Sequence, residues 1–170
     1  MKVRLVLENE DVINIELYPN IAPLSVSNFL KLVDEKYYDG IVFHRIIKDF
    51  MVQAGGYKVD DKEMRLYEAK EVPSIKGEFK ANGVENNLKH TLGVISMART
   101  MVKDSASSQF FICTKASSHL DGQYAAFGKV CDEASLAILD KLNNVPTVNV
   151  GGGLTDFPYP IVRIKTIERI

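Results

Sequence analysis

Two short apolar runs, Phe43-His44-Arg45-Ile46-Ile47 and Phe50-Met51-Val52-Gln53-Ala54, meet at the polar pair Lys48-Asp49 and stop at Gly55-Gly56. Neither run is long enough for a helix to bury a stripe, and a polar break between two such runs predicts a β-hairpin. Its contents are unusual, because a cation, a neutral amide and a flexible thioether lie inside the apolar runs. Side chains two apart on a strand share a face, so Met51 and Gln53 point the same way, and Arg45 joins them if the two strands pair. Arg45 and Gln53 beside Phe50 and Met51 then describe an apolar pocket with one strong hydrogen-bond donor at its rim. A solvated surface arginine fits the same residues, since arginine is seldom buried unless paired. The pattern alone leaves both readings open.

The remaining chain supplies a frame for that hairpin. Val3, Leu5 and Leu7 alternate with other residues, as do Ile13, Ile15 and Leu17 beyond the polar cluster Glu8-Asn9-Glu10-Asp11, which predicts a second hairpin. Pro23 suits a first helical turn, and Val26, Phe29, Leu30 and Val33 follow at helical spacing. The spacing predicts one amphipathic helix ending near Asp39-Gly40. Tyr57 to Glu85 carries weak periodicity and reads as long connections with short strands. Strands are expected again at Thr91–Ala98, Gln109–Thr114, Tyr124–Val130 and Ile161–Ile167, with Phe110 facing the core and Gln109 and Phe111 the other side. Leu136, Ile138, Leu139 and Leu142 mark a second helix, for which Asp132 is a fitting cap and Glu133 suits the positive end of the dipole. About eight strands and two helices predict a mainly β protein, a closed eight-stranded antiparallel barrel capped by two α-helices. Such a barrel can be filled by side chains or can hold one small ligand inside, so an interior site of the lipocalin kind is an alternative to one on the outer face.

Composition narrows the function classes. The 170 residues fit one domain over 1–170, because compact domains run to roughly 100–200 residues. A net charge of −1, from 21 basic and 22 acidic residues spread along the chain, lacks the basic footprint that nucleic-acid binding requires. The start, Met1 to Glu8, meets acid before an apolar leader core can form, and no run approaches the 18 or so apolar residues of a membrane span. A soluble, cytoplasmic protein without membrane or nucleic-acid partners is expected. Cys113 and Cys131 show no CxxC spacing, which fits free thiols in a reducing compartment.

Several chemistries lack the residues they need. His44, His90 and His119 show no paired-ligand spacing, so neither a metal nor another cofactor is expected, and His44 reads as a strand histidine satisfied by backbone. Ser105, Ser107 and Ser108 have no nucleophile-elbow context and read as a small-residue loop that lets backbone approach a substrate. Gly151-Gly152-Gly153 lacks the strand and helix of a dinucleotide motif. Neither cysteine has a visible activating partner, so buried structural thiols are expected.

Four motifs together carry a resemblance. Phe43-His44-Arg45-Ile46-Ile47 with Phe50-Met51-Val52-Gln53, Gly93-Val94-Ile95-Ser96-Met97-Ala98, Ser107-Ser108-Gln109-Phe110-Phe111-Ile112, and Leu120-Asp121-Gly122 with Phe127-Gly128-Lys129-Val130 resemble, in order and over most of the chain, the cyclophilin family of peptidyl-prolyl cis/trans isomerases. The wording is most similar to bacterial single-domain members. The resemblance implies a barrel with its active site in a groove on the outer face and no cofactor. By motif it assigns Arg45 to the prolyl amide, Phe50, Met51, Phe111 and Leu120 to the proline pocket, and Gln53 and Gln109 to polar positions beside it. Ala98 and Arg99 match the segment whose backbone holds an extended substrate. The expected substrates are proline-containing peptides and unfolded or flexible protein chains, and the expected form is a monomer assisting protein folding. A non-catalytic module that only binds proline peptides is the alternative, since uniform binding of both isomers accelerates nothing.

The chain departs from the family pattern at informative places. His119 stands where many eukaryotic members have tryptophan, and Tyr124 where they have histidine. Both belong to the expected substrate-binding set. Loss of the indole predicts weakened affinity for the cyclic-peptide inhibitor cyclosporin, because imidazole offers less apolar surface and lacks the indole donor. Arg99 replaces a frequent asparagine, Lys48-Asp49 replaces a frequent Pro-Gly, and Tyr57–Glu85 departs from the usual Gly-rich loop.

Overall fold

A computed structural model describes all residues from 1 to 170. Strands β1 (Lys2–Leu7) and β2 (Val12–Leu17) form the first hairpin, pairing Val3 with Ile15 and Leu5 with Ile13, so the alternating apolar side chains face inward together. Helix α1 (Pro23–Asp34) opens on its proline and buries Val26, Phe29, Leu30 and Val33. It stops earlier than the expected Asp39-Gly40, because Lys36 adopts a left-handed φ of 59° and a turn replaces the last predicted residues. Strands β3 (Ile41–Ile47) and β4 (Met51–Asp60) are the hairpin read from sequence, and β5 (Arg65–Glu68) folds back on the outer half of β4. Then follow β6 (Val94–Met97), β7 (Phe110–Cys113), β8 (Ala126–Val130) and helix α2 (Glu133–Asn143). A small ribbon of β9 (Thr147–Val148) and β10 (Phe157–Pro158) precedes the closing strand β11 (Ile164–Arg169).

Eight antiparallel strands in the order β11-β1-β2-β8-β6-β7-β4-β3 curl into the expected barrel. The seam between β3 and β11 is sealed by single bonds rather than a full ladder, Gly40 N to Ile164 O and Phe43 N to Val162 O, both at 2.9 Å. Side chains fill the inside. Phe29 of α1 meets Phe110 edge-on at 5.5 Å and lies 5.3 Å from both Tyr38 and Phe127, within a single cluster of 31 buried residues. An interior ligand site would have to displace these rings, so function belongs on the outer face.

Long-range contacts hold the helices where the site needs them. Ala22 at the start of α1 offers no side-chain cap. The buried carboxylate of Glu78 replaces it, accepting hydrogen bonds from Leu24 N (3.1 Å), Ser25 N (2.6 Å) and Ser25 Oγ (2.8 Å). The Tyr57–Glu85 segment is thereby anchored to the barrel. Asp132 caps α2 as expected, accepting from Ser135 N at 2.7 Å. At the other end of α2, Asn143 accepts from Asp49 N at 2.8 Å and so fixes the β3–β4 turn, where Asp49 has φ 58°.

Two expectations about single residues fail. Cys113 is buried but Cys131 is exposed, because it follows the last residue of β8 where the chain leaves the barrel wall. His44 is buried, yet its Nδ1 has no hydrogen-bond partner from backbone or side chain, since the ring lies against Tyr57 at 4.7 Å. Burial, and then the Arg45 charge, push its pKa down to about 4. The folded state therefore holds His44 neutral where the unfolded chain, near 6.5, begins to bind a proton. Stability should be complete above about pH 6.5 and decline as pH falls toward 4, by up to about 3 kcal/mol from this group. His90 adds in the same direction, because its burial outweighs the partner Asp121. Urea unfolding midpoints across this range should flatten in His44→Gln. An unchanged slope would remove His44 as the cause.

Candidate active site

Cross-strand register builds the site. Arg45 on β3 pairs with Gln53 on β4, and Gln53 pairs with Phe111 on β7, so three strands lay these side chains in a row on the outer face of the barrel. Arg45 Nη1 donates to Gln53 Oε1 at 3.3 Å, and Gln53 Nε2 donates to Gln109 Oε1 at 2.9 Å. The relay orients both amides and leaves most of the Arg45 donors free.

Beneath Arg45 lies an apolar slot of about 100 Å³ walled by Phe50, Met51, Phe111, Leu120 and Tyr124, with Gln53, Ala98 and Arg99 along its edge. Its floor is a small apolar cluster of Met51, Phe111, Cys113 and Leu120, separate from the main core. Phe111 is held from two sides, stacked on His90 at 6.0 Å and 17° and met edge-on by Tyr124 at 5.7 Å. His90 is itself fixed, its Nδ1 3.1 Å from Asp121 Oδ1 and its Nε2 2.9 Å from Ser96 Oγ. Sequence reasoning missed this support. Asp121 was visible in the Leu120-Asp121-Gly122 turn, but nothing in the spacing joined it to His90 and Ser96.

A second hollow, about 210 Å³ and lined by polar or charged residues apart from Ala98, adjoins the slot and shares Gln53, Ala98 and Arg99 with it. Gln109 lines this hollow rather than the slot, together with Thr100, Ser105 and Ser107. Its position depends on two glycines. Gly55 has φ 108°, and a Cβ there would come within 2.4 Å of the Ser108 carbonyl oxygen, while one on Gly56 would meet Gln109 Nε2 at 2.4 Å. Ala98 N is already bonded to Gln109 O at 3.0 Å, whereas Arg99 makes no backbone–backbone hydrogen bond. Arg99 thus has both main-chain groups free, while Ala98 keeps only its carbonyl. His119 lies outside both linings, its ring 5.5 Å from that of Phe50. No three His, Cys, Asp or Glu side chains come together as a metal-ligand set.

A larger groove of about 530 Å³ runs between Leu7, Leu142, Val145 and Ile161. Its charged residues are already engaged with one another or with neighbours, Lys141 with Asp11 at 2.9 Å and Arg163 with Glu8 at 3.1 Å. Size therefore does not decide between them. Only the slot under Arg45 combines an apolar seat with a cation that has no carboxylate partner.

A barrel of this topology with such a slot on its outer face is the arrangement that the resemblance implies, and comparison with known proteins agrees. The family model described as cyclophilin type peptidyl-prolyl cis-trans isomerase/CLD matches residues 2–169, and the chain belongs to that family. A peptidyl-prolyl cis-trans isomerase from Acinetobacter baylyi is 42% identical over 165 residues, covering 92% of this chain and 81% of its own. Peptidyl-prolyl cis-trans isomerase A of Dickeya dadantii is 42% identical over 151 residues, covering 86% and 70%. Among solved structures, a Cryptosporidium parvum cyclophilin-type isomerase crystallised in the presence of the dipeptide Ala-Pro is similar with a TM-score of 0.79 and 26% identity, covering 100% of this chain and 99% of that one. The protein is a peptidyl-prolyl cis-trans isomerase.

Proposed function

We propose that the slot seats the proline ring of an X-Pro segment in an unfolded or flexible protein chain, and that Arg45 is the catalytic residue. One observation carries the reading: Arg45 and the apolar walls Phe50, Met51, Phe111 and Leu120 border a single cavity. The Ala-Pro dipeptide used with the Cryptosporidium relative supports the same ligand class.

The chemistry follows from the amide. Delocalisation of the nitrogen lone pair gives the peptide bond a rotation barrier of about 18–20 kcal/mol. In the twisted transition state that lone pair returns to nitrogen, which can then accept a hydrogen bond that the planar forms cannot. A guanidinium aimed there binds the transition state more tightly than either ground state, and only such differential binding accelerates the step. No bond is made and no proton leaves. The slot holds the ring while the carbonyl side rotates, and its apolar walls strip water from the charge-separated planar amide. Uncatalysed isomerisation takes tens to hundreds of seconds, so turnover of about 10 s⁻¹ needs roughly three decades, or about 4 kcal/mol. One charge-assisted bond of about 1.5–3 kcal/mol together with orientation reaches that range.

Backbone amide shifts during titration with an Ala-Pro peptide test the assignment. They should concentrate at Met51, Gln53, Ala98, Arg99, Phe111 and Leu120. Shifts centred instead on Leu142 and Ile161 would transfer the site to the larger groove. Cyclosporin should compete for the same amides only weakly, because His119, packed on Phe50, cannot supply an indole donor, and His119→Trp should tighten it.

A further inference from the structure

Four arginines, Arg4, Arg65, Arg163 and Arg169, each pair with a carboxylate, at distances from 2.6 to 3.6 Å. The two that do not, Arg45 and Arg99, both border the slot. Arg45 is already accounted for in the proposed chemistry. Arg99 is not.

Arg99 is held firmly without being neutralised. Its guanidinium carbon lies 4.7 Å from the centre of the Phe79 ring and 4.6 Å from that of Tyr124. Nε and Nη2 donate to Gln123 O at 3.1 and 2.6 Å, and Nη1 donates to Thr100 O at 2.9 Å. A guanidinium carries five N–H donors, two on each terminal nitrogen, so Nη1 and Nη2 each keep one without a partner. All of the charge remains uncompensated by any carboxylate. The side chain is a fixed cation at the wall of the polar hollow, among Thr100, Ser105, Ser107 and Gln109.

We infer that this hollow is a specificity subsite for an acidic side chain, Asp or Glu, carried by the substrate within about three residues of the isomerised X-Pro bond. The inference rests on the reading of the slot as the proline seat. An extended chain advances about 3.3 Å per residue, so a peptide leaving the slot across Ala98 and Arg99 delivers a nearby side chain to the adjoining hollow. A planar carboxylate matches a guanidinium fork better than an amide does, and a lysine side chain would be repelled. Stacking between two rings means the cation is already in place before substrate arrives, so little ordering opposes the contact.

The test is a set of X-Pro peptides bearing Glu, Gln or Lys at each of the three positions on either side of the dipeptide, with kcat/KM measured at low salt and in about 0.5 M NaCl, where charges are screened within a few ångströms. At one position or two adjacent ones, Glu should exceed Gln by about 5- to 10-fold and Lys should fall below Gln, the scale of a partly buried charge-assisted contact. The Glu-to-Gln ratio should collapse toward one in Arg99→Gln, whatever the absolute rate of the variant, should shrink in high salt without vanishing, and should be restored in part by Arg99→Lys. A ratio near one at every position in the wild type, or a ratio that survives Arg99→Gln, overturns the subsite while leaving the proline seat standing. Absence of turnover with every peptide would remove the proline seat, and the subsite with it.

Discussion

Replacing Arg45 with alanine should lower kcat/KM toward X-Pro peptides by about 10- to 150-fold, the kinetic equivalent of losing a charge-assisted hydrogen bond of about 1.5–3 kcal/mol, while the protein stays folded. The fold has little stake in this side chain. Arg45 is exposed on β3, and its one bond within the protein runs to Gln53 at 3.3 Å. Gln53 keeps its bond to Gln109 when Arg45 is gone. The Arg45→Lys variant should fall between the two, since an ammonium keeps the charge but not the planar array of donors. Circular dichroism and an unfolding curve separate a lost donor from a lost fold. A folded Arg45→Ala protein with the wild-type rate would exclude the assigned role.

Glu78→Ala should have the largest effect on stability, about 3–5 kcal/mol. Alanine would leave two amides and a hydroxyl at the start of α1 without their acceptor, in a place that water reaches poorly, because Glu78 is only 3% exposed. Bonds to a charged acceptor contribute about 1.5–3 kcal/mol, and each buried donor left unpaired costs about 1–3 kcal/mol. The carboxylate also faces the positive end of the helix dipole. Glu78→Gln should recover part of the loss by keeping an acceptor. For a domain of this size the alanine variant should melt roughly 10 °C lower. The change should reach the site as well, because the next residue, Phe79, lies under the Arg99 guanidinium. A melting shift of only 1 or 2 °C would mean that α1 does not depend on this remote cap.

These two residues differ in how far the sequence revealed them. Arg45 lies in a strand whose period-two pattern fixes which neighbours share its face, and pairing with Gln53 follows once the hairpin is recognised. Met51, Gln53 and Phe111 come to one cavity for the same reason. Glu78 gave no such sign. Its partners are 53 and 54 residues away, and a contact of that range follows from tertiary packing, not from local spacing. The clamp on Arg99 was hidden likewise, since Phe79 and Tyr124 approach it from distant segments. Helix α1 ends before the stop expected at Asp39-Gly40 because the turn is made at Lys36, whose left-handed φ of 59° nothing in the residue pattern announces. His44 looked like an ordinary strand histidine, and only its packing against Tyr57 shows why its Nδ1 stays unpaired. His119, expected among the substrate contacts, packs on Phe50 from outside the slot.

If Arg45 favours the half-rotated imide over both planar isomers, exchange NMR on a bound Ala-Pro peptide reads that preference without interference from binding or release. The on-enzyme cis–trans rate and the dissociation constant are measured for the wild type and for Arg45→Ala. The rate should be at least about tenfold lower in the variant with a dissociation constant within about twofold, the signature of an interaction made only in the transition state. A variant that binds the peptide proportionally more weakly yet interconverts the bound peptide as fast as the wild type would contradict it.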